Sequence, residues 1–63
     1  MKVIPLEVHD KDGNLVKIEV TNSKGEFIIQ ALWDPNDAQT HDNRVEFRKW
    51  TYEHLRKLGH EID

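Results

Sequence analysis

The feature of this chain that most constrains its fold is an alternation of apolar and polar residues through its first half. Apolar residues occupy every second position in three stretches: Ile4, Leu6 and Val8; Val16, Ile18 and Val20; and Phe27, Ile29, Ala31 and Trp33. Because successive side chains of a β-strand point to opposite faces, this spacing predicts strands at about residues 2–9, 14–21 and 26–33. Each strand would turn one apolar face to a common core.

Two glycine-containing turns connect these strands and set the predicted register. We expect a three-residue loop from Lys11 to Gly13 and a four-residue loop from Asn22 to Gly25. The expected facing pairs are Val8 with Val16, Leu6 with Ile18, Ile4 with Val20, Val20 with Phe27, Ile18 with Ile29, and Val16 with Ala31. Because Pro5 has no backbone N–H, the first strand suits a sheet edge and the second strand lies in the middle.

The last third of the chain has the periodicity of an α-helix, which we expect from Asn43 to Gly59. Asn43 and Glu46 resemble a capping box, and Gly59 is a typical helix stop. At about 100° per residue, one helix side collects the residues expected to face the sheet: Phe47, Trp50, Thr51, His54, Leu55 and Leu58. The predicted class is α+β, a three-stranded antiparallel β-meander followed by one C-terminal α-helix packed across the sheet (β-β-β-α), in one domain of residues 1–63.

Composition and motifs argue against catalysis and metal binding. A chain of 63 residues without cysteine has no room for a deep pocket, and its core supplies only about 3–5 kcal/mol. The segment from Asp10 to Asn14 resembles the start of an EF-hand loop, but Leu15 stands where that loop requires glycine. The histidines lack zinc-site spacing, and Ser23 has no neighbouring base. We therefore expect a non-enzymatic protein without a metal or cofactor.

The sequence also lacks the features of a membrane or secreted protein. No apolar run approaches the roughly 20 residues of a membrane span. The first residues, from Met1 to Pro5, do not form the apolar segment of a signal peptide. We expect a soluble, cytoplasmic protein with no membrane partner.

A second helix face carries Arg44, Arg48, Tyr52 and Arg56 at four-residue steps, and we call it the arginine stripe. Guanidinium groups beside an aromatic ring suit carboxylates, phosphates or stacked rings. Residues 1–42 hold four lysines against eight acids, whereas residues 43–63 hold five basic residues against four acids. The net charge of −3 is unusual for a domain that binds a polyanion. A solvated face that keeps the helix soluble explains the same residues.

The sheet face away from the helix is the other candidate surface. Its predicted apolar residues include Leu15, Ile28 and Leu32, which would suit a docking patch. We expect a homodimer through the third strand or through this outer sheet face. The leading hypothesis is a small protein-protein interaction module that binds a partner with an acidic or mixed-charge surface through the stripe, this face, or both. Its size suggests an accessory or inhibitory protein of a phage or mobile element. The alternative is a nucleic-acid-binding accessory protein whose stripe arginines contact phosphates.

Overall fold

The computed structural model describes residues 2–63, so Met1 of the predicted domain lies outside the described residues. Its elements are β1 (Lys2–His9), β2 (Leu15–Asn22), β3 (Phe27–Leu32), α1 (His41–Lys57) and β4 (Glu61–Ile62). The sheet order is β3-β2-β1-β4, with β1–β2 and β2–β3 antiparallel and β4 parallel to the start of β1. The predicted α+β class and β-β-β-α order are confirmed. The short β4 is an addition that the sequence pattern did not indicate.

The first hairpin has the predicted three-residue loop. A carboxylate oxygen of Asp10 accepts hydrogen bonds from the backbone N–H groups of Asp12 and Asn14, both at 2.9 Å. Gly13 closes the loop at a φ of +83°, a conformation that favours glycine because it has no Cβ. The hydrogen bond from the Asn14 backbone, followed by that from Asp12, lowers the pKa of Asp10.

The second hairpin repeats this geometry. The side-chain oxygen of Asn22 accepts from the backbone N–H groups of Lys24 and Glu26, at 2.9 and 3.0 Å. The N–H of Asn22 donates to the carbonyl of Glu26 at 3.0 Å, and Gly25 has a φ of +81°. The prediction of a four-residue loop is therefore wrong: the Asn22–Glu26 pair encloses three residues.

A one-residue bulge follows each hairpin loop and changes the predicted register. Val16 is the extra residue between the pairs His9–Leu15 and Val8–Lys17. Ile28 is the extra residue between the pairs Thr21–Phe27 and Val20–Ile29. Because side chains alternate along a strand, each inserted residue exchanges the two faces of one strand relative to its neighbour.

The first bulge turns the opposite face of β1 toward the helix, so the predicted core face of this strand is wrong. Pro5 pairs with Val20 and Glu7 pairs with Ile18, which places Pro5 and Glu7 on the helix side. Val3, on the same side, is completely buried. The residues expected in the core of β1, Ile4, Leu6 and Val8, face away from the helix.

In β3, the shorter loop and the second bulge together displace the register by two residues. Ile29 pairs with Val20 and Ala31 with Ile18, so both keep the predicted helix side but change partners. Phe27, expected in the core, precedes the bulge and is 60% exposed. The predicted face therefore holds for β3 only beyond Ile28.

Helix α1 begins two residues before the predicted start. The hydroxyl of Thr40 accepts from the N–H of Asn43 at 3.1 Å, so Thr40 is the N-cap and Asn43 lies in the first turn. The predicted stop is confirmed, since the N–H of Gly59 donates to the carbonyl of Arg56 at 3.0 Å.

The core lies between α1 and one face of the sheet. Its buried residues are Val3, Ile18, Val20 and Leu55, with Ile28, Ile29, Phe47, Tyr52 and Ile62 packed around them. The helix is rotated from its predicted orientation: Trp50, His54 and Leu58 are exposed, and Tyr52 of the arginine stripe contacts the core. The exchanged face of β1 places Glu7 under the helix, where it is paired with Arg48.

Candidate functional site

The arginine stripe does not form one free surface, because Arg48 is bonded to the sheet. Its Nε donates to Oε2 of Glu7 at 2.6 Å, and its Nη2 donates to Oε1 at 2.9 Å. This two-point contact lowers the pKa of Glu7 and raises the pKa of Arg48. The charge of Arg48 is therefore compensated within the chain.

Arg44 takes part in a second internal network, centred on Gln39. Gln39 Oε1 accepts from the backbone N–H of Leu15 at 2.9 Å and from Nε of Arg44 at 3.2 Å. Gln39 Nε2 donates to the Leu15 carbonyl at 2.9 Å. This residue ties the β3–α1 loop to the start of β2. Sequence reasoning missed it, because one glutamine in a polar loop carries no pattern.

The other two stripe residues lie in different surroundings. Tyr52 packs against the core, while Arg56 is exposed. Arg44 thus contacts the β3–α1 loop and Arg48 contacts the sheet, whereas Arg56 takes part in neither contact. A partner contact by Arg56 stays a prediction.

The sheet turns nine side chains away from α1, and we call this surface the outer face. Its three rows across β1, β2 and β3 are Ile4, Thr21 and Phe27; Leu6, Glu19 and Gln30; and Val8, Lys17 and Leu32. Leu6 is 50% exposed, Phe27 60% and Leu32 66%. Within residues 2–63, no other element covers these rows. The outer face is therefore an apolar surface that the fold leaves open to a partner.

Polar groups occupy the middle of the outer face. Nζ of Lys17 lies 2.8 Å from Oε1 of Glu19 and donates to Oε1 of Gln30 at 3.4 Å. These groups neutralise one another and separate the apolar side chains of β1 from those of β3. The surface therefore combines apolar contact area with paired charges of both signs.

Of the three predicted docking residues, only Leu32 lies on the outer face. Leu15 is 1% exposed, because the bulge at Val16 takes it out of the alternation of β2. Ile28 is the bulged residue of β3 and packs against the core. The similar spacing of Asp10 to Gly13 and of Asn22 to Gly25 was the available signal for two equal loops, although it does not indicate the bulges.

An open groove runs between α1 and β3. The rings of Trp50 and His54 are stacked, with centroids 5.7 Å apart and an interplanar angle of 9°. The groove beneath them is lined by Ile29, Ala31 and Leu55, among others. Trp50 is 59% exposed, so the groove wall itself is accessible.

Among residues 2–63, no group of three or more histidine, aspartate or glutamate side chains is placed to hold a metal ion. In the same part of the chain, no helix is long and apolar enough to cross a bilayer.

The chain matches no protein-family model, and neither curated proteins nor solved structures gave a significant match.

Proposed function

We propose that this protein is a small non-enzymatic interaction module that binds a protein partner through its outer face. The observation that carries the proposal is the orientation of β1. Its three apolar residues, Ile4, Leu6 and Val8, face away from the helix, while its charged Glu7 lies beneath the helix.

The energetic cost of this orientation supports a role in binding. Burying one leucine or isoleucine side chain contributes roughly 1.5–3 kcal/mol. A one-residue change of register would turn the apolar side of β1 toward the helix. Sites where a fold departs from its own sequence pattern are often functional, and exposed apolar patches often mark interfaces.

The composition of the outer face supports a partner with apolar side chains and charges of both signs. The apolar residues of β1 supply contact area, and the Lys17–Glu19 pair in the middle of the face can bind charged side chains of either sign. The nucleic-acid alternative has less support, since Lys17 is paired on this face and Arg48 is paired with Glu7. The accessory or inhibitory role suggested by the small size of the protein would use this outer face.

Affinity capture from host lysate with a matched pair of variants tests the proposal. Leu6→Lys places a charge on the outer face, whereas Val45→Lys makes the same kind of change at an exposed valine on the helix. We expect the parent and Val45→Lys to retain the same protein, and Leu6→Lys to lose it. Equal retention by all three would refute the outer-face site, and loss of capture after nuclease treatment would favour nucleic acid.

A further inference from the structure

The two edges of the sheet differ in their protection. On one side, β4 pairs with Lys2 and Val3, and Pro5 stands two residues beyond Val3. On the other side, β3 has no neighbouring strand within residues 2–63. The sequence from Phe27 to Trp33 contains neither a charged residue nor proline. Natural proteins usually protect such an edge with lysine, proline or a covering segment.

The hydrogen-bonding groups of the β3 edge follow from its pairing with β2. The N–H of Trp33 donates to the carbonyl of Val16 at 3.0 Å. Because backbone groups alternate in direction along an antiparallel strand, the N–H and C=O of Gln30 and Leu32 point away from β2. Both residues are exposed, so the edge offers donors and acceptors to an added strand.

The groove under Trp50 lies beside this edge. Ile29 and Ala31 line the groove from β3, and Trp50 lines it from α1. A strand paired with β3 would place alternate side chains against this groove. One bound strand would therefore form hydrogen bonds with the free backbone groups of β3 and also cover the exposed indole of Trp50.

We propose that the occupant is a second copy of this chain, with the two β3 strands paired antiparallel. Gln30 of each copy then exchanges backbone hydrogen bonds with Leu32 of the other, and Ala31 lies opposite its own equivalent. Facing Cα atoms at such a position are only about 4.5 Å apart, and alanine permits this approach. An uncharged strand brings no like charges together when it pairs with itself.

The symmetry of this pairing limits the assembly to two copies. Each copy contributes its β3 edge, and the remaining edges carry β4 and Pro5. A two-fold contact that uses the same surface on both subunits is closed. The product is one continuous sheet with four strands from each copy, and both outer faces stay accessible.

Gln30→Pro and Gln30→Thr form a matched pair of variants that tests the dimer. Both remove the contact between Gln30 and Lys17, but only proline removes the N–H that points to the free edge. Sedimentation analysis should give a dimer for the parent and Gln30→Thr. Gln30→Pro should weaken the dimer by about ten- to hundredfold, because each copy loses one hydrogen bond. A circular dichroism melt verifies that both variants are folded.

Amide hydrogen exchange supplies a second, residue-specific measurement. In the parent, protection of the Gln30 and Leu32 amides should rise with protein concentration, whereas the Ala31 amide is protected throughout. A parent that stays monomeric at high micromolar concentration, a dimer unaffected by Gln30→Pro, or open-ended aggregates would each overturn the proposal. Leu6→Lys should leave the dimer intact, so failure of outer-face binding and failure of edge pairing are separate results.

Discussion

The helix-covered face of the sheet buries Val3, Ile18 and Val20 almost completely, whereas the outer face leaves Leu6 half exposed. Both faces contain apolar residues, but they differ in what covers them. On the covered face, Glu7 takes a position that the sequence pattern would give to an apolar residue, and Arg48 compensates its charge. Apolar composition alone therefore does not identify the buried face of a strand, since a bulge determines which side turns inward.

The largest expected effect lies on the covered face, at Leu55. This residue is 1% exposed and belongs to the core cluster. Leu55→Ala should cost about 2–5 kcal/mol, close to the total of about 3–5 kcal/mol that a core of this size supplies. We expect a largely unfolded variant by thermal melt. A cooperative melt near that of the parent would contradict the placement of Leu55 in the core.

A smaller effect is expected when the ion pair under the helix is broken. Arg48→Met leaves the Glu7 carboxylate without its partner, and we expect a loss of about 1–2 kcal/mol because both side chains keep some contact with solvent. Urea unfolding measures this loss. The double variant Glu7→Leu/Arg48→Met should recover part of it, because no unpaired charge remains. A double variant less stable than Arg48→Met alone would show that Glu7 has another stabilising role.

The pH dependence of the same pair follows from the lowered pKa of Glu7. Arg48, with a smaller contribution from His9, holds this pKa below its ordinary value of 4.5. The ion pair therefore contributes its full stability above pH 4.5 and loses it as the pH falls through the lower folded-state value. The parent should exceed Glu7→Gln in unfolding free energy at neutral pH, and the difference should shrink in acid. A difference independent of pH would exclude this linkage.

The elements of the fold could be predicted because each has a local signal in the sequence. These signals are the periodicity of apolar residues within a strand or helix, Gly13 in the first turn, and Gly59 at the end of the helix. The register could not, because the alternation of apolar residues does not indicate the one-residue bulges at Val16 and Ile28. One inserted residue moved Ile4, Leu6 and Val8 from the predicted core to the outer face. The same change placed Glu7 opposite Arg48, so this residue of the predicted arginine stripe is paired within the chain. Of the candidate site, sequence identified Leu32 on the outer face but misplaced Leu15 and Ile28.

The smallest stability change is expected at Leu6, where the two registers predict opposite results. In the register expected from sequence, Leu6 faces Ile18 in the core, and lysine there would largely unfold the protein. In the structure, Leu6 lies beside Glu19 on the outer face and is 50% exposed. Leu6→Lys should then change the unfolding free energy by no more than about 0.5 kcal/mol. Urea unfolding of the isolated protein decides between the registers, and a loss comparable to that of Leu55→Ala would refute both the bulge at Val16 and the outer face.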